Sequence, residues 1–209
     1  PKGPLVSRAS ANFGAYLGSV RPLLTDSAVL VMVALSSVRA MVHNALNIFL
    51  IIYMDEDLGF TAFKIGYHVA LLTLFGIAFA PAMGWAADRI GRRPVIFVGL
   101  TAIAMLTFGL LPFGTGASFT AILAALGLFL YSVNPVMLAT AIDAGPRGTE
   151  SSVTGLVFTG SAVFGAASPV IAGWLRQGYG MDAVFYYSAT IVAVMAVASL
   201  FVPMRRVST

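Results

Sequence analysis

Six long apolar stretches leave this chain few folds to choose from. They run at about 27–53, 63–87, 94–113, 118–142, 151–175 and 183–204. Each holds roughly 20 or more mostly apolar residues, enough to cross ~30 Å of hydrocarbon. In lipid, only a helix satisfies every backbone N–H and C=O within such a segment. The expected fold class is therefore all-α and integral to a membrane. Residues 27–204 form a six-helix transmembrane bundle, 1–26 a cytoplasmic linker or amphipathic segment, and 205–209 a cytoplasmic tail.

Composition agrees. The 209 residues are 59% hydrophobic and only 10% charged, against about 25% charged in soluble domains. Mean hydropathy is +0.92. A net charge of +4 would suggest nucleic acid as the partner of a soluble protein. Here the excess of Lys and Arg in short cytoplasmic loops explains it, and no nucleic acid is expected. There is no cysteine, which excludes disulfides, thiolate nucleophiles and Cys metal sites. His43 and His68 are too few and too far apart for a zinc site. No metal and no cofactor is expected, and the partners are a lipid bilayer and a small-molecule substrate.

The loops sort by charge. With both ends inside, Lys2, Arg8, Arg21, Arg89, Arg92, Arg93, Arg147, Arg205 and Arg206 are cytoplasmic, and only Lys64 and Arg176 are outside. The reverse orientation inverts that bias, so both ends are assigned to the cytoplasm. The localisation expected is an integral protein of a bacterial inner or plasma membrane. Near the start, Phe13, Tyr16, Leu17 and Val20 recur at helical spacing between Lys2, Arg8 and Arg21. This suits a short helix on the membrane surface; a flexible linker is the alternative. The chain starts at Pro1, without Met and without a recognisable signal peptide. It is expected to be a piece of a longer protein.

The polar residues within the spans carry the functional reading. Arg39 is the one permanently charged side chain deep in a span. On insertion scales it costs ~2.5–3.5 kcal/mol there, so it should face a watery cavity or a partner. His43 and Asn47 follow at steps of four and share its helical face, flanked by Ser36 and Asn44. The stripe reads as cavity lining, with a hydrogen-bonded network between helices as the alternative. In the fourth span, Tyr131 and Asn134 lie three apart beside Ser132 and Pro135, with Thr140 below. They can contact substrate together, or a packed Tyr can sit beside an Asn that caps a freed carbonyl. Tyr67 and His68 lie near the outer end of the second span, and His68 reads as interfacial. No Asp or Glu lies mid-span, so His43 is the only group there that can gain a proton near neutral pH. In the fifth span, Gly155, Gly160, Gly165 and Gly173, with Ala162, Ala166, Ala167 and Ser168, predict close helix packing. Pro169 predicts a bend.

Between the second and third spans stands Gly84-Trp85-Ala86-Ala87-Asp88-Arg89-Ile90-Gly91-Arg92-Arg93. Gly84, Asp88, Arg89, Gly91, Arg92 and Arg93 match the G-x-x-x-D-R-x-G-R-R/K loop signature of major facilitator superfamily transporters. With six spans around it, the chain resembles one six-helix half of that family, the C-terminal one. The basic, partly amphipathic start is similar to the family's central cytoplasmic linker.

That resemblance implies secondary active transport of a small solute by alternating access, as an antiporter or symporter. The solute is a drug, a metabolite or an organic anion. The partner would be the N-terminal six-helix half of the same transporter. The first and fourth helices would line the cavity, where Arg39, His43, Asn47, Tyr131 and Asn134 lie. Asp88 would engage a helix N-terminus of the other half, and Arg92 would pair with Asp143. Gly91 would supply a tight turn and Gly84 close helix contact. Arg89 and Arg93 would at least set topology. The alternatives are a six-helix half-transporter working as a dimer and a non-transporting membrane scaffold. An intramembrane enzyme lacks a nucleophile, metal cluster or carboxylate pair within the spans.

Overall fold

The computed structural model describes residues 22–112 and 116–202. The predicted surface helix around Phe13–Val20, most of the 1–26 linker, the tail 205–209 and Gly114 and Thr115 lie outside the described residues. Six helices fill the rest: α1 Ser27–Ile52, α2 Ala62–Ile90, α3 Arg92–Gly109, α4 Gly116–Ala144, α5 Glu150–Tyr179 and α6 Met181–Ser199. All six are long and apolar enough to cross a membrane, and no strand occurs among the described residues. The fold is an all-α membrane bundle.

The helix ends have local causes. Asp26 caps α1, its Oδ1 accepting from the Ala28 amide at 2.9 Å. Thr61 caps α2, accepting from the Lys64 amide; both satisfy first-turn donors that lack intrahelical partners. Past the predicted end of the first span, the acidic run Asp55-Glu56-Asp57 continues α1 as a π-helical turn over Tyr53–Asp57. The third helix stops at Gly109, four residues before the predicted end. Leu110 follows in a turn whose amide bonds back to Leu106. The fifth runs four residues past its predicted end, so Arg176 stands in the last turn of α5 rather than in a loop.

Three pairs of helices pack most closely: α1 on α5, α2 on α4, and α3 on α6. Exchanging the first three helices with the last three leaves that set unchanged. An odd number of spans per unit inverts each unit relative to the other, as in transporters built from inverted repeats. α1 is the most enclosed helix, whereas α2 and α5 expose much of their length. Phe63, Leu74, Phe164 and Val170 are among the large apolar side chains left exposed.

Glycines set two of these close approaches. A Cβ on Gly127 of α4 would run into the backbone of Leu72 on α2. One on Gly76 would lie 2.6 Å from the Gly127 carbonyl and from the Tyr131 Cβ. On the other side, a Cβ on Gly160 of α5 would strike Ser37 of α1, and Gly165 meets Asn44. Without an aqueous hydrophobic effect to drive association, such backbone proximity gains the dispersion energy that holds helices together in lipid. The predicted small-residue role of α5 thus has an address, and α2 with α4 uses the same device. Pro81, Pro135 and Pro169 each lie inside a continuous helix.

Candidate functional site

The polar stripe of α1 faces α4. Arg39 is 7% exposed, and its Nη1 donates to the Leu130 carbonyl at 3.5 Å, the long limit of a hydrogen bond. One turn on, the His43 ring meets the Tyr131 ring edge-to-face with centroids 4.9 Å apart. A further turn on, Asn47 Oδ1 accepts from the Tyr131 hydroxyl at 2.9 Å, and its Nδ2 donates to the His43 carbonyl at 2.8 Å. Tyr131 is held in place from behind by Gly76, where any side chain would displace it. The residues at 39, 43, 47 and 131 therefore form one seam.

Both readings of the stripe meet here. Asn47 and Tyr131 are spent on a bond between helices. Arg39 and His43 are not fully spent: the buried Nε of Arg39 and Nδ1 of His43 have no hydrogen-bond partner. Leaving a buried donor unmet costs about 1–3 kcal/mol, more for a charged group. Asn134 is exposed, next to Pro135, and takes no part in the seam. Pro135 lacks an amide hydrogen, which frees the carbonyl one turn earlier, at Tyr131. Below it Thr140 turns its hydroxyl onto the Val136 carbonyl at 2.7 Å.

The signature loop forms the second cluster. Gly91 links α2 to α3 with φ +97°, a conformation that side chains disfavour. Arg92 Nη1 lies 2.6 Å from Asp143 Oδ2, tying the start of α3 to the end of α4. Arg93 donates to the Val202 carbonyl, tying the same point to the chain after α6. Arg89 lies over the Trp85 ring at 4.6 Å. Asp88 is exposed. It lines a groove of about 210 Å³ with Gly84, Ala87, Arg92, Pro135, Val136 and Ala139. A Cβ on Gly84 would meet nothing of this bundle within 4 Å, so Gly84 leaves the groove open.

A correction concerns His68. It is buried, not interfacial, and bridges α2 to α4: Nδ1 lies 2.7 Å from the Lys64 carbonyl and Nε2 3.0 Å from Thr120 Oγ1. Phe60 and Phe119 pack around it. Sequence reasoning also missed three ties. Ser168 donates to the Met41 carbonyl at 2.6 Å, joining α5 to α1. Arg176 pairs with Glu56. Gly76 and Gly127 form the closest point of α2 and α4. A serine directly before a mid-helix proline, and lone glycines within apolar spans, were the available signals.

Comparisons with known proteins agree on the family. The Major Facilitator Superfamily model matches residues 31–209. The probable sulfoacetate transporter SauU of Cupriavidus necator is 29% identical over 161 residues, 72% of this chain and 37% of that protein. The cis,cis-muconate transport protein of Acinetobacter baylyi is 30% identical over 139 residues, 63% of this chain and 32% of that protein. The class E tetracycline resistance protein of Escherichia coli is 31% identical over 144 residues, 66% of this chain and 33% of that protein. The chain thus spans about a third of the length of these relatives. Six membrane-length helices, the Gly84–Arg93 loop and the family match over most of the length leave one conclusion: the chain belongs to the Major Facilitator Superfamily of membrane transporters.

Proposed function

We propose that the chain is the second six-helix half of a twelve-helix secondary transporter that moves a small organic solute by alternating access. α1 and α4 form its share of the cavity wall, and both of its ends are cytoplasmic. The observation that carries the reading is the α1–α4 seam: polar side chains of two membrane helices converge at Arg39, His43, Asn47 and Tyr131 in an otherwise apolar bundle. Charged and polar residues at that depth mark solute pathways. The relatives' names support small solutes: one names sulfoacetate, one cis,cis-muconate, one tetracycline.

The groove at Gly84, Asp88 and Ala139 receives the positive N-terminal end of a helix from the first half. The Arg92–Asp143 pair exists in that docked state and loosens in the other. At a wet surface such a pair contributes only ~0–1 kcal/mol, so its role is to bias two states and not to hold the bundle. The test is transport by the full-length protein in proteoliposomes. Asp88→Asn is expected to cut the rate at least tenfold with unchanged insertion and detergent stability. Wild-type rates from Asp88→Asn sink the gating role. Failure of any solute's distribution to depend on the gene sinks the transport reading.

A further inference from the structure

The eight acidic residues of the chain are Asp26, Asp55, Glu56, Asp57, Asp88, Asp143, Glu150 and Asp182. All stand at or beyond the ends of helices. Two ion pairs occur among the described residues, Arg92–Asp143 and Arg176–Glu56, both at helix ends. Arg39 therefore carries a full charge at mid-membrane depth with no fixed counter-ion in this half. Its one hydrogen bond is a 3.5 Å contact to a neutral carbonyl. A buried cation without a paired anion is unstable enough that structures rarely keep one without use.

The geometry around it is selective. Arg39 Nε, a donor, and His43 Nδ1, a donor in its Nδ1–H tautomer, are buried without partners one helical turn apart on one face. A planar guanidinium with an imidazole N–H beside it matches a carboxylate, sulfonate or phosphonate, whose oxygens accept two or three such bonds. The seam's other amide and hydroxyl, Asn47 and Tyr131, are already bonded to each other. The unspent capacity of the seam is thus the guanidinium N–H of Arg39, a cationic donor, and one ring nitrogen of His43, which can donate in the Nδ1–H tautomer.

We infer that Arg39, assisted by His43, is the recognition point for an acidic group of the transported solute, so that the substrate class is organic anions. This rests on the transport reading above and deepens it.

The experiment compares a strain lacking the full-length gene with strains carrying wild type, Arg39→Gln, Arg39→Lys or His43→Asn. Untargeted profiling of cells and medium identifies the solutes whose distribution depends on the gene. Each is then followed in proteoliposomes beside its uncharged amide or ester. Under the proposal those solutes are anions at neutral pH. Arg39→Gln lowers kcat/KM for them at least a hundredfold. Arg39→Lys keeps a measurable part of the rate, since it restores charge but not the fork. His43→Asn raises KM by roughly tenfold or less. The preference for acid over amide collapses in Arg39→Gln, which a purely structural role would not produce. Abundance and monodispersity of each variant in detergent guard against misfolding, and Arg39→Lys keeps the test open if Arg39→Gln does not fold.

Neutral or cationic substrates overturn the inference while leaving transport standing. So does rescue of Arg39→Gln by neutralising an acid of the other half, which makes Arg39 an interhalf partner. A gene that changes no solute's distribution removes both readings.

Discussion

The two ends of the bundle use one backbone device with opposite chemistry. At one end Gly84-Trp85 leads, seven residues on, to Gly91; at the other, Gly173-Trp174 leads at the same spacing to Gly180. Gly91 and Gly180 both close a helix hairpin with positive φ, +97° and +85°. Both tryptophans are exposed, Trp85 60% and Trp174 66%, as suits rings at a membrane boundary. At each end an ion pair ties the hairpin to the end of another helix: Arg92 to Asp143 in the last turn of α4, and Arg176 to Glu56 in the π-helical turn that follows α1. The side chains then diverge. Trp85 lies under Arg89, while Trp174 packs against Tyr179 at 6.2 Å. One hairpin carries Arg89, Arg92 and Arg93; the other has Arg176 alone. The hairpin is thus a folding solution common to both faces, and charge is what distinguishes them.

The strongest way to break that comparison is to remove the charge and keep the backbone. The chain has no native cysteine, so single cysteines at Pro146 and Gln177, both exposed and at opposite ends, report orientation. Each Arg near an anionic leaflet contributes ~1 kcal/mol. Replacing Arg89, Arg92 and Arg93 with Gln together is expected to let a minor fraction insert inverted. Impermeant maleimide would then label both cysteines from one side of the membrane. Labelling that stays one-sided would mean that the remaining basic residues set the topology.

Next in size is the shared backbone. Gly91→Val and Gly180→Val each force a branched side chain into a backbone region, φ +97° with ψ 151° and φ +85° with ψ 177°, that is essentially glycine's alone, at ~1–3 kcal/mol. Both should lower the detergent melting temperature to a similar degree. A loss at Gly91 with none at Gly180 would show that the two hairpins are alike in shape only.

Smallest is the pair of salt bridges. Arg92→Ala and Arg176→Ala should each change stability by ~0–1 kcal/mol. They should separate in transport: the substitution at Arg92, beside the Asp88 groove, slows turnover more than the one at Arg176. A double-mutant cycle with Asp143→Ala and Glu56→Ala tests each pair directly. Equal effects on turnover would make both pairs latches, one for each face.

The residues alone revealed the spans because length and apolarity act along one dimension: a run of about twenty apolar residues forms a helix in lipid whatever its neighbours are. They also disclosed the i, i+4 stripe of Arg39, His43 and Asn47, since helical periodicity is local. They could not say what the stripe faces. That depends on the rotation of α1 against α4, which Gly76, Gly127 and Leu72 set by backbone contact between distant parts of the chain. The same limit hid His68, whose burial needs Phe60, Phe119 and Thr120 from two other segments. It hid the groove that Gly84 and Asp88 line with Pro135 and Ala139 of α4. Span, capping and charge bias are written locally and were decided by the sequence. Which donors remain unspent at the seam, and which ends are tied together, were decided only when six helices packed, because helix contacts in lipid come from shape and not from pattern.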